Sequence, residues 1–355
     1  MVKSARARRT QRDGAAAPVL PEDLVLWEIF YRLPAKEILR CRAACRSWHR
    51  LTRDADKALA TVDAFDLSHS PAVRRPILGF SSYDQFNKYY IHASCDGLLL
   101  LSRTYRLYYI CNPATRQWCP LPDVSNVTAL YHHRPSGEYR VLYLPGTVSY
   151  YVLTVGSSLK GQRCVGIPVP SPSGVLDQGN PSVLLHDCLH WYSASTQCKV
   201  LVFDTVDESF RCMQSPPIAG YGAHLRQMDG TLCIHHLDRD TMIVQVWALQ
   251  DYEMELWSLK CKIQLRVWEL MKNVSDKFFG SWEVVSDSGD MLVCNHFHQL
   301  LFHYDSKGKL VDKFEEDFVT PSVLRLSFKE SLVRHEFFER KVRKRVKLPG
   351  FFRGM

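Results

Sequence analysis

The side chains that could do chemistry in this sequence are its histidines and cysteines, because both bind metals and both act in acid–base or nucleophilic catalysis. The histidines include three close groups, which are His132 and His133, then His235 and His236, and finally His296, His298 and His303. A metal site needs ligands that converge in a fixed geometry. His296 and His298 alternate in an apolar segment and would share one face of a strand, so they predict at most the beginning of a site.

A second histidine pair has the spacing of a metalloprotease helix but lacks the rest of that motif. His186 and His190 are four residues apart, yet they flank a turn that leads into a strand, and no glutamate follows the first histidine. The sequence also lacks a nucleophile elbow, a Walker loop and a dinucleotide-binding glycine motif. We therefore expect no catalytic residue, no metal and no cofactor.

The cysteines do not form a disulfide scaffold or a zinc motif. There are 12 in 355 residues, mostly inside apolar segments such as those around Cys111, Cys233 and Cys294, and none form a C-x-x-C pair. The N-terminus has no apolar core of the kind that a secretory signal requires. We therefore expect the cysteines to be reduced, small, buried hydrophobic residues of a cytosolic or nuclear protein.

The charge is concentrated at the two ends of the chain. The net charge is +8, of which residues 1–19 carry +4 and residues 334–355 carry +6, so the body between them carries −2. A nucleic-acid-binding body would instead have a basic face, so this distribution argues against one. The basic runs predict disordered tails or nuclear-localisation signals, and the expected location is the nucleus and/or the cytoplasm. No apolar run reaches the roughly 18 residues of a membrane helix, so no membrane is expected.

The elements that surround these residues differ sharply along the chain, and residues 20–54 predict three short helices. Pro21 suits a first helical turn, where its missing N–H costs little. Pro34 ends that helix and begins a second, because the residue before a proline avoids the α conformation. Leu51 and Trp48 share the apolar side of a third helix, opposite three arginines. A unit of this size rarely folds stably without a partner, so the block predicts a binding partner.

This block resembles an F-box, the motif that docks onto the Skp adaptor of Skp–cullin–F-box ubiquitin ligases. The matching residues are Leu20, Pro21, Leu24, Glu28, Ile29, Leu33, Pro34, Leu39, Arg42 and Trp48. Ala44 stands where the family usually has valine, and Arg46 where lysine is common. The resemblance implies that the Skp adaptor is bound by Leu20, Pro21, Leu24, Ile29, Leu33, Pro34, Leu39 and Trp48, with cullin recruited through the adaptor.

The remainder of the chain contains a repeat of β-hairpins. An apolar segment, an Asn or Asp that begins a turn, and a returning segment recur at Asn112, Asp204, Asp251 and Asp305. The first gap is about two repeats long, which predicts a hidden hairpin near Ser158. A period of roughly 45 to 50 residues is that of propeller blades with four strands each.

A second turn signal precedes several of these hairpins. It occurs at Asp96 and Gly97, at Asp187, at Asp229 and Gly230, and at Ser288 and Gly289, each time before an apolar strand. The body is long enough for about six blades. A strand near residues 63–67 could close the ring and so remove exposed sheet edges. We expect four tryptophans at recurring positions to pack between blades, namely Trp118, Trp191, Trp247 and Trp257.

The body also resembles the F-box-associated domains of plant F-box proteins, which are propeller-like or kelch-related. The resemblance rests on SCDGLLLL, YYICNPATRQWCPLP, LHWYS, VLVFDTVDESFRCMQSPP and VWALQDY, in that order. It is weakest over residues 124–179. The expected domains are a basic tail (1–19), an F-box (20–60), a β-propeller-like domain (61–333) and a basic C-terminal tail (334–355). The fold class is thus a small three-helix F-box followed by an all-β domain.

Three functions are compatible with these features. In the first, the chain is a non-catalytic adaptor, in which the F-box binds Skp and the propeller holds an unknown protein substrate for ubiquitination. In the second, it is a kelch-type oxidase with a metal in the central channel, which needs converging histidine and tyrosine ligands. In the third, it is a scaffold outside any ligase, whose tails bind nucleic acid. The first agrees with both resemblances.

Overall fold

The computed structural model describes the propeller part of the chain. It covers residues 59–66, 73–81, 89–146, 149–168, 181–192, 200–218, 223–238, 240–265, 282–287, 290–295, 300–314 and 326–339. The chain divides into two compact units, of which the second comprises residues 61–78 and 84–348. The predicted helical block at residues 20–54 lies outside the described residues. Among the described helices, none is long and apolar enough to span a membrane.

The described part consists almost entirely of β-strands. In chain order they are β1 (Leu59–Asp66), β2 (Val73–Ser81), β3 (Tyr89–Cys95), β4 (Leu98–Arg103), β5 (Leu107–Asn112), β6 (Gln117–Pro120), β7 (Val127–His133), β8 (Glu138–Tyr143), β9 (Tyr150–Thr154), β10 (Arg163–Gly166), β11 (Val183–Leu185), β12 (Cys188–Tyr192), β13 (Val200–Asp204), β14 (Ser209–Met213), β15 (Ala223–Met228), β16 (Thr231–Asp238), β17 (Ile243–Asp251), β18 (Leu256–Gln264), β19 (Trp282–Asp287), β20 (Asp290–Asn295), β21 (Leu300–Tyr304) and β22 (Leu310–Phe314). A 3-10 turn (Leu159–Gly161) precedes β10, and a short helix, α1 (Glu336–Glu339), follows the last strand.

The strands form five four-stranded sheets and one two-stranded sheet. Each large sheet is an antiparallel meander of consecutive strands. These are blade 1 (β3–β6), blade 2 (β7–β10), blade 3 (β11–β14), blade 4 (β15–β18) and blade 5 (β19–β22). The two-stranded sheet pairs β1 with β2. Five blades are therefore present in the described part, and the sixth stays a prediction.

The predicted turn residues do begin the turns between the third and fourth strands. The Asp204 carboxylate accepts hydrogen bonds from the backbone N–H groups of Val206 (2.7 Å) and Asp207 (2.9 Å). Asp251 accepts two bonds from the same relative positions, Asp305 accepts two from residues two and four positions ahead, and Asn112 accepts one from Thr115 at 3.2 Å. The side chain thus completes the turn locally, which is why the pattern was visible in the sequence.

The hidden hairpin near Ser158 is also confirmed. Strand β9 ends at Thr154, the chain passes through the 3-10 turn, and β10 returns from Arg163 to pair with β9. The stretch that departs most from the family pattern therefore contains a complete blade 2. The Pro- and Gly-rich residues 169–180 lie outside the described residues.

The core lies between consecutive blades. Leu98, Leu100 and Ile110 of blade 1 pack with Leu130 and Val141 of blade 2 in one buried cluster. Similar clusters join blades 2 and 3, blades 3 and 4, and blades 4 and 5. Strand β1 extends this series, because Phe65 packs on the buried face of blade 5, with its ring centroid 5.2 Å from that of Phe314.

The tryptophan prediction is confirmed for three of the four residues. Trp191 is buried between blades 2 and 3, and Trp247 and Trp257 pack against the cluster between blades 3 and 4. Trp118 is half-buried and contacts Tyr109 of its own sheet, with ring centroids 5.9 Å apart.

Candidate functional site

The residues predicted to bind the Skp adaptor cannot be placed by this structure. Leu20, Pro21, Leu24, Ile29, Leu33, Pro34, Leu39 and Trp48 all lie outside the described residues, and their role stays a prediction. The described residues that could form a functional site lie on the surface of the blades and between neighbouring blades.

The two ends of the blades differ in their connections. At one end, here called the short-turn end, tight turns join the first strand to the second and, except in blade 2, the third to the fourth. The opposite end, here called the long-connection end, holds the turns between the second and third strands. The chain also leaves one blade and enters the next at this end, where the longer connections join Pro120 to Val127, Gly166 to Val183, Met213 to Ala223 and Gln264 to Trp282. Recognition residues commonly lie on such longer connections over a rigid scaffold.

Blades 2 and 3 are joined by a buried carboxylate. Glu208, in the turn before β14, has a fully buried side chain. Tyr131 donates a hydrogen bond to its Oε1 at 2.6 Å, and Arg140 Nη1 lies 2.6 Å from the same oxygen. Arg163 pairs with Oε2. Burial raises the pKa of Tyr131 and so keeps the phenol protonated as a donor. The group is an ion-pair network between blades.

Blades 3 and 4 meet at a cluster of histidine, cysteine and tyrosine. His190 accepts a hydrogen bond from the Tyr252 hydroxyl (2.9 Å) through Nε2, since its Nδ1 faces the carbonyl of Val183 at 3.1 Å. Burial lowers the pKa of His190 to about 4, so the imidazole is neutral near pH 7. Burial also raises the pKa of the nearby Cys188 thiol, which disfavours the nucleophilic thiolate. His186 contacts the same tyrosine ring, with centroids 4.9 Å apart.

The histidine groups do not converge in the part of the chain that the structure describes. His132 packs on Tyr139, whereas its neighbour His133 bonds Ser136 on the opposite face of β7. His235 is buried and its pKa is lowered to about 3, and His303 lies 3.1 Å from the carboxylate of Asp290. His296 and His298 lie outside the described residues. Within the described ranges, no group of three His, Cys, Asp or Glu side chains is arranged to hold a metal ion.

Six of the nine described cysteines are buried thiols, as predicted, and three are not. Burial raises the pKa of Cys95 to about 12 and that of Cys233 to about 11. Eight described cysteines are free, of which Cys164 and Cys261 are exposed. Cys212 on β14 is disulfide-bonded, so the expectation that every cysteine is reduced was wrong for this residue.

The C-terminal segment, residues 326–339, lies across the short-turn end of blades 1 and 2. The buried Asn112 side chain donates hydrogen bonds to the carbonyls of Ser331 (2.9 Å) and Val333 (3.2 Å). Gly97, with φ +83°, allows the approach, because a Cβ there would collide with Ser331. Phe338 of α1 is buried in the cluster between the two blades. Packed structure thus continues to Glu339, beyond residue 333, where the expected propeller domain ends.

Sequence reasoning missed three features of this surface. Phe338 was hidden by the basic composition of its surroundings, and Glu208 gave no signal, because its partners are 68 and 77 positions away in blade 2. Thr104 and Tyr105 form the turn between β4 and β5 with positive φ angles of 53° and 56°. That turn contains no Gly, Asn or Asp, so nothing in its residue types marked it.

Comparison with known proteins supplies the family context. The sequence pattern of the F-box associated beta propeller domain matches residues 70–338, and an F-box-like pattern matches residues 18–57. The chain is 27% identical to "F-box protein At5g49610" of Arabidopsis thaliana over 299 residues, which cover 72% of this chain and 81% of that protein.

Other similar proteins include a second F-box protein and a β-propeller structure. "Putative F-box/kelch-repeat protein At1g13200" of the same plant is 23% identical over 361 residues, covering 81% of this chain and 82% of that protein. Among solved structures, the β-propeller domain of Cps50 (Swd1) from Myceliophteria thermophila is 13% identical over 63% of this chain and 72% of that chain, with a TM-score of 0.39. The TM-score is too low for a conclusion to be drawn from this similarity.

Proposed function

This chain belongs to the F-box-associated β-propeller family, and from that membership we propose that it is the substrate-recognition subunit of a Skp–cullin–F-box ubiquitin ligase. The observation that carries the proposal is the joint match of an F-box-like segment and an F-box-associated propeller in one chain. An F-box implies a Skp adaptor as partner, and a propeller offers a rigid surface for a second protein.

The F-box would dock onto the adaptor as three short helices. The contacts would come from its paired Leu-Pro motifs and the apolar residues around them, namely Leu20, Pro21, Leu24, Ile29, Leu33, Pro34, Leu39 and Trp48. The support is chemical, because so small an amphipathic block gains most of its stability by burying its apolar face on a partner.

The propeller would hold the client close to the ubiquitin-charged enzyme. Such a subunit needs no reactive group of its own, because raising the local concentration of client lysines is sufficient for transfer. The buried, protonated state of the cysteines between the blades fits that role. We further propose that the ring contains six blades, with β1 and β2 in the sixth, supported by the packing of Phe65 on blade 5.

The protein would act in the nucleus and/or the cytoplasm. The support is the basic run at Lys341, Arg343, Lys344 and Arg345, which has the composition of a nuclear-localisation signal. Replacing these four residues with glutamine should shift a fluorescently tagged protein from the nucleus to the cytoplasm. An unchanged distribution would remove this role for the C-terminal run.

The experiment that tests the adaptor role is a binding assay with purified Skp adaptor. The wild-type chain is compared with a Leu33→Ala/Trp48→Ala variant and with a Met254→Ser control, which alters an exposed apolar residue of blade 4. Loss of a binding hot spot should weaken binding by about 2 kcal/mol or more, roughly thirtyfold. The control should bind as wild type does. Failure of the folded wild-type protein to bind the adaptor would overturn the proposal.

A further inference from the structure

The turn between β4 and β5 in blade 1 is held in an unfavourable backbone conformation. Thr104 and Tyr105 have φ angles of 53° and 56°, in the left-handed region. A β-branched residue such as Thr104 is rarely found there, because its Cβ substituents crowd the backbone. Tight hairpin turns of this type strongly favour Asn-Gly or Asp-Gly instead. Strain of this kind persists where the surrounding structure enforces it, and it is frequently functional.

Comparable turns elsewhere in the protein use residues that tolerate the conformation. Asp96 and Gly97 have φ angles of 50° and 83°, and Asp229 and Gly230 have 51° and 75°. These turns lie at the short-turn end and expose no large apolar side chain. A third turn of this kind, at His186 and Asp187 with φ angles of 51° and 58°, has no glycine but uses residue types that enter this region more readily. Among the described turns with two consecutive positive φ angles, Thr104–Tyr105 contains no Gly, Asn, Asp or His, and it lies at the long-connection end.

The strained turn presents an aromatic surface. Tyr105 is 49% exposed, and its ring stacks on that of Tyr90 with centroids 4.0 Å apart and an interplanar angle of 26°. His92 meets the Tyr105 ring edge-on at 5.9 Å and is itself fixed by Ser102, whose Oγ lies 2.7 Å from Nε2. Leu107 is 53% exposed at the start of β5. Tyr90 therefore covers one face of the Tyr105 ring, and the rest of the Tyr105 side chain is open to solvent.

One arginine lies beside this aromatic surface. Arg106 follows Tyr105 in the turn and is exposed, whereas Arg103 lies on the opposite face of β4 from Ser102, the face that carries Tyr109. Burial raises the pKa of Tyr105, so its hydroxyl is protonated and carries no charge. The exposed turn thus carries the positive charge of Arg106 beside an uncharged aromatic ring. Tyrosine and arginine are also the residue types most enriched among binding hot spots.

We propose that the Tyr90, Tyr105 and Arg106 surface binds an acidic segment of the client protein. This inference rests on the proposed function and names the chemistry of the client. An apolar or aromatic side chain of the segment would cover the exposed face of Tyr105, and a carboxylate would form a paired hydrogen bond with the Arg106 guanidinium. A protein segment fits better than a nucleic acid, because one exposed arginine can pair with a single carboxylate, whereas nucleic-acid binding relies on a basic face that neutralises many phosphates.

The test uses the full chain and a phage library of random 12-residue peptides as the probe. Peptides selected on the wild-type protein should be enriched in Asp and Glu beside an apolar residue. Their binding, measured by fluorescence polarisation, should weaken at least about tenfold in Tyr105→Ser and in Arg106→Gln. Met254→Ser, which changes an exposed apolar side chain at the short-turn end, should bind them as wild type does.

A second variant separates binding from folding. Thr104→Asn/Tyr105→Gly places favoured residues in the turn, so its Tm should equal or exceed that of the wild type while peptide binding is lost. Selected peptides without acidic residues, or peptides that bind Tyr105→Ser unchanged, would overturn the proposal. Equal competition by single-stranded DNA would replace it with a nucleic-acid site. Skp binding measured on the same samples reports separately on the adaptor role.

Discussion

Two neighbouring interfaces of the propeller are closed in different ways. Between blades 2 and 3, the turn that carries Glu208 reaches across to Tyr131, Arg140 and Arg163, so the contact is a buried ion pair. Between blades 1 and 2, the C-terminal segment lies across both sheets and inserts Phe338.

The difference concerns where the closing residues come from. Glu208 is 68 positions from Arg140, whereas Asn112 bonds carbonyls that are 219 and 221 positions away. Closing such a long loop costs additional chain entropy, which the apolar and hydrogen-bonded contacts of the segment must offset. The first interface can therefore form from neighbouring blades alone, whereas the second, in which blades 1 and 2 also pack directly, is completed by the far end of the domain.

The largest effect should follow from Phe338→Ala, which leaves a cavity in the buried cluster between blades 1 and 2. Phe338 is 5% exposed, and truncating a buried phenylalanine reduces the free energy of unfolding by about 3–5 kcal/mol. Urea denaturation would measure the change. Leu332→Ala is the matched control in the same segment, because Leu332 is 80% exposed and should change stability by less than about 0.5 kcal/mol. Equal effects of the two variants would contradict the claim that Phe338 stabilises the interface between blades 1 and 2.

Glu208→Gln should break the interface between blades 2 and 3 to a slightly smaller extent. The substitution keeps the shape of the side chain but removes the buried charge that pairs with Arg140 and Arg163, at a cost of about 3 kcal/mol. The mostly buried Arg140 then keeps only its more exposed partner Glu138, at 3.0 Å. The control is Arg134→Ala, which removes a largely exposed ion pair to Asp187 and should cost less than about 1 kcal/mol. If the two variants lower the stability equally in thermal denaturation, Glu208 does not hold blades 2 and 3 together.

Asn112→Ala should weaken the attachment of the C-terminal segment. The variant removes both donors to the carbonyls of Ser331 and Val333, and each lost hydrogen bond costs about 0.5–1.5 kcal/mol. Hydrogen exchange should then speed up at residues 326–339 more than in blades 3 and 4. A uniform change across all blades would mean that Asn112 serves only its own turn.

The smallest effect concerns how the free energy of unfolding depends on pH. It extends the comparison to a third interface, between blades 3 and 4, where His190 bonds Tyr252. His190 has a folded-state pKa of about 4, below the usual value of 6.5, so the unfolded chain binds its proton more readily. Stability from this group is therefore fully present above pH 6.5 and is lost as pH falls from 6.5 towards 4. We expect His190→Gln to reduce the slope of unfolding free energy in this window by up to about 1.4 kcal/mol per pH unit. An unchanged slope would show that His190 does not couple to folding.

How much the sequence could predict depended on whether an interaction was local. Asp204 and Asp251 bond backbone groups two and three residues ahead, so their turns, and with them the period of the blades, could be read directly. Phe338 and Glu208 contact residues that are distant in sequence, and no spacing rule reaches them. Tyr105 was missed for the opposite reason, because its turn violates the residue preferences on which the prediction relied.

The measurement that tests the central claim most directly is whether the full chain binds an adaptor and a client at the same time. Purified protein would be mixed with the Skp adaptor and with an acidic peptide selected on the wild-type surface, and the mass of the complex followed by light scattering during size exclusion. The account predicts one complex that contains all three components, with the peptide lost from Tyr105→Ser and the adaptor lost from Leu33→Ala/Trp48→Ala. Displacement of the peptide by the adaptor, or absence of the adaptor from the complex, would contradict it.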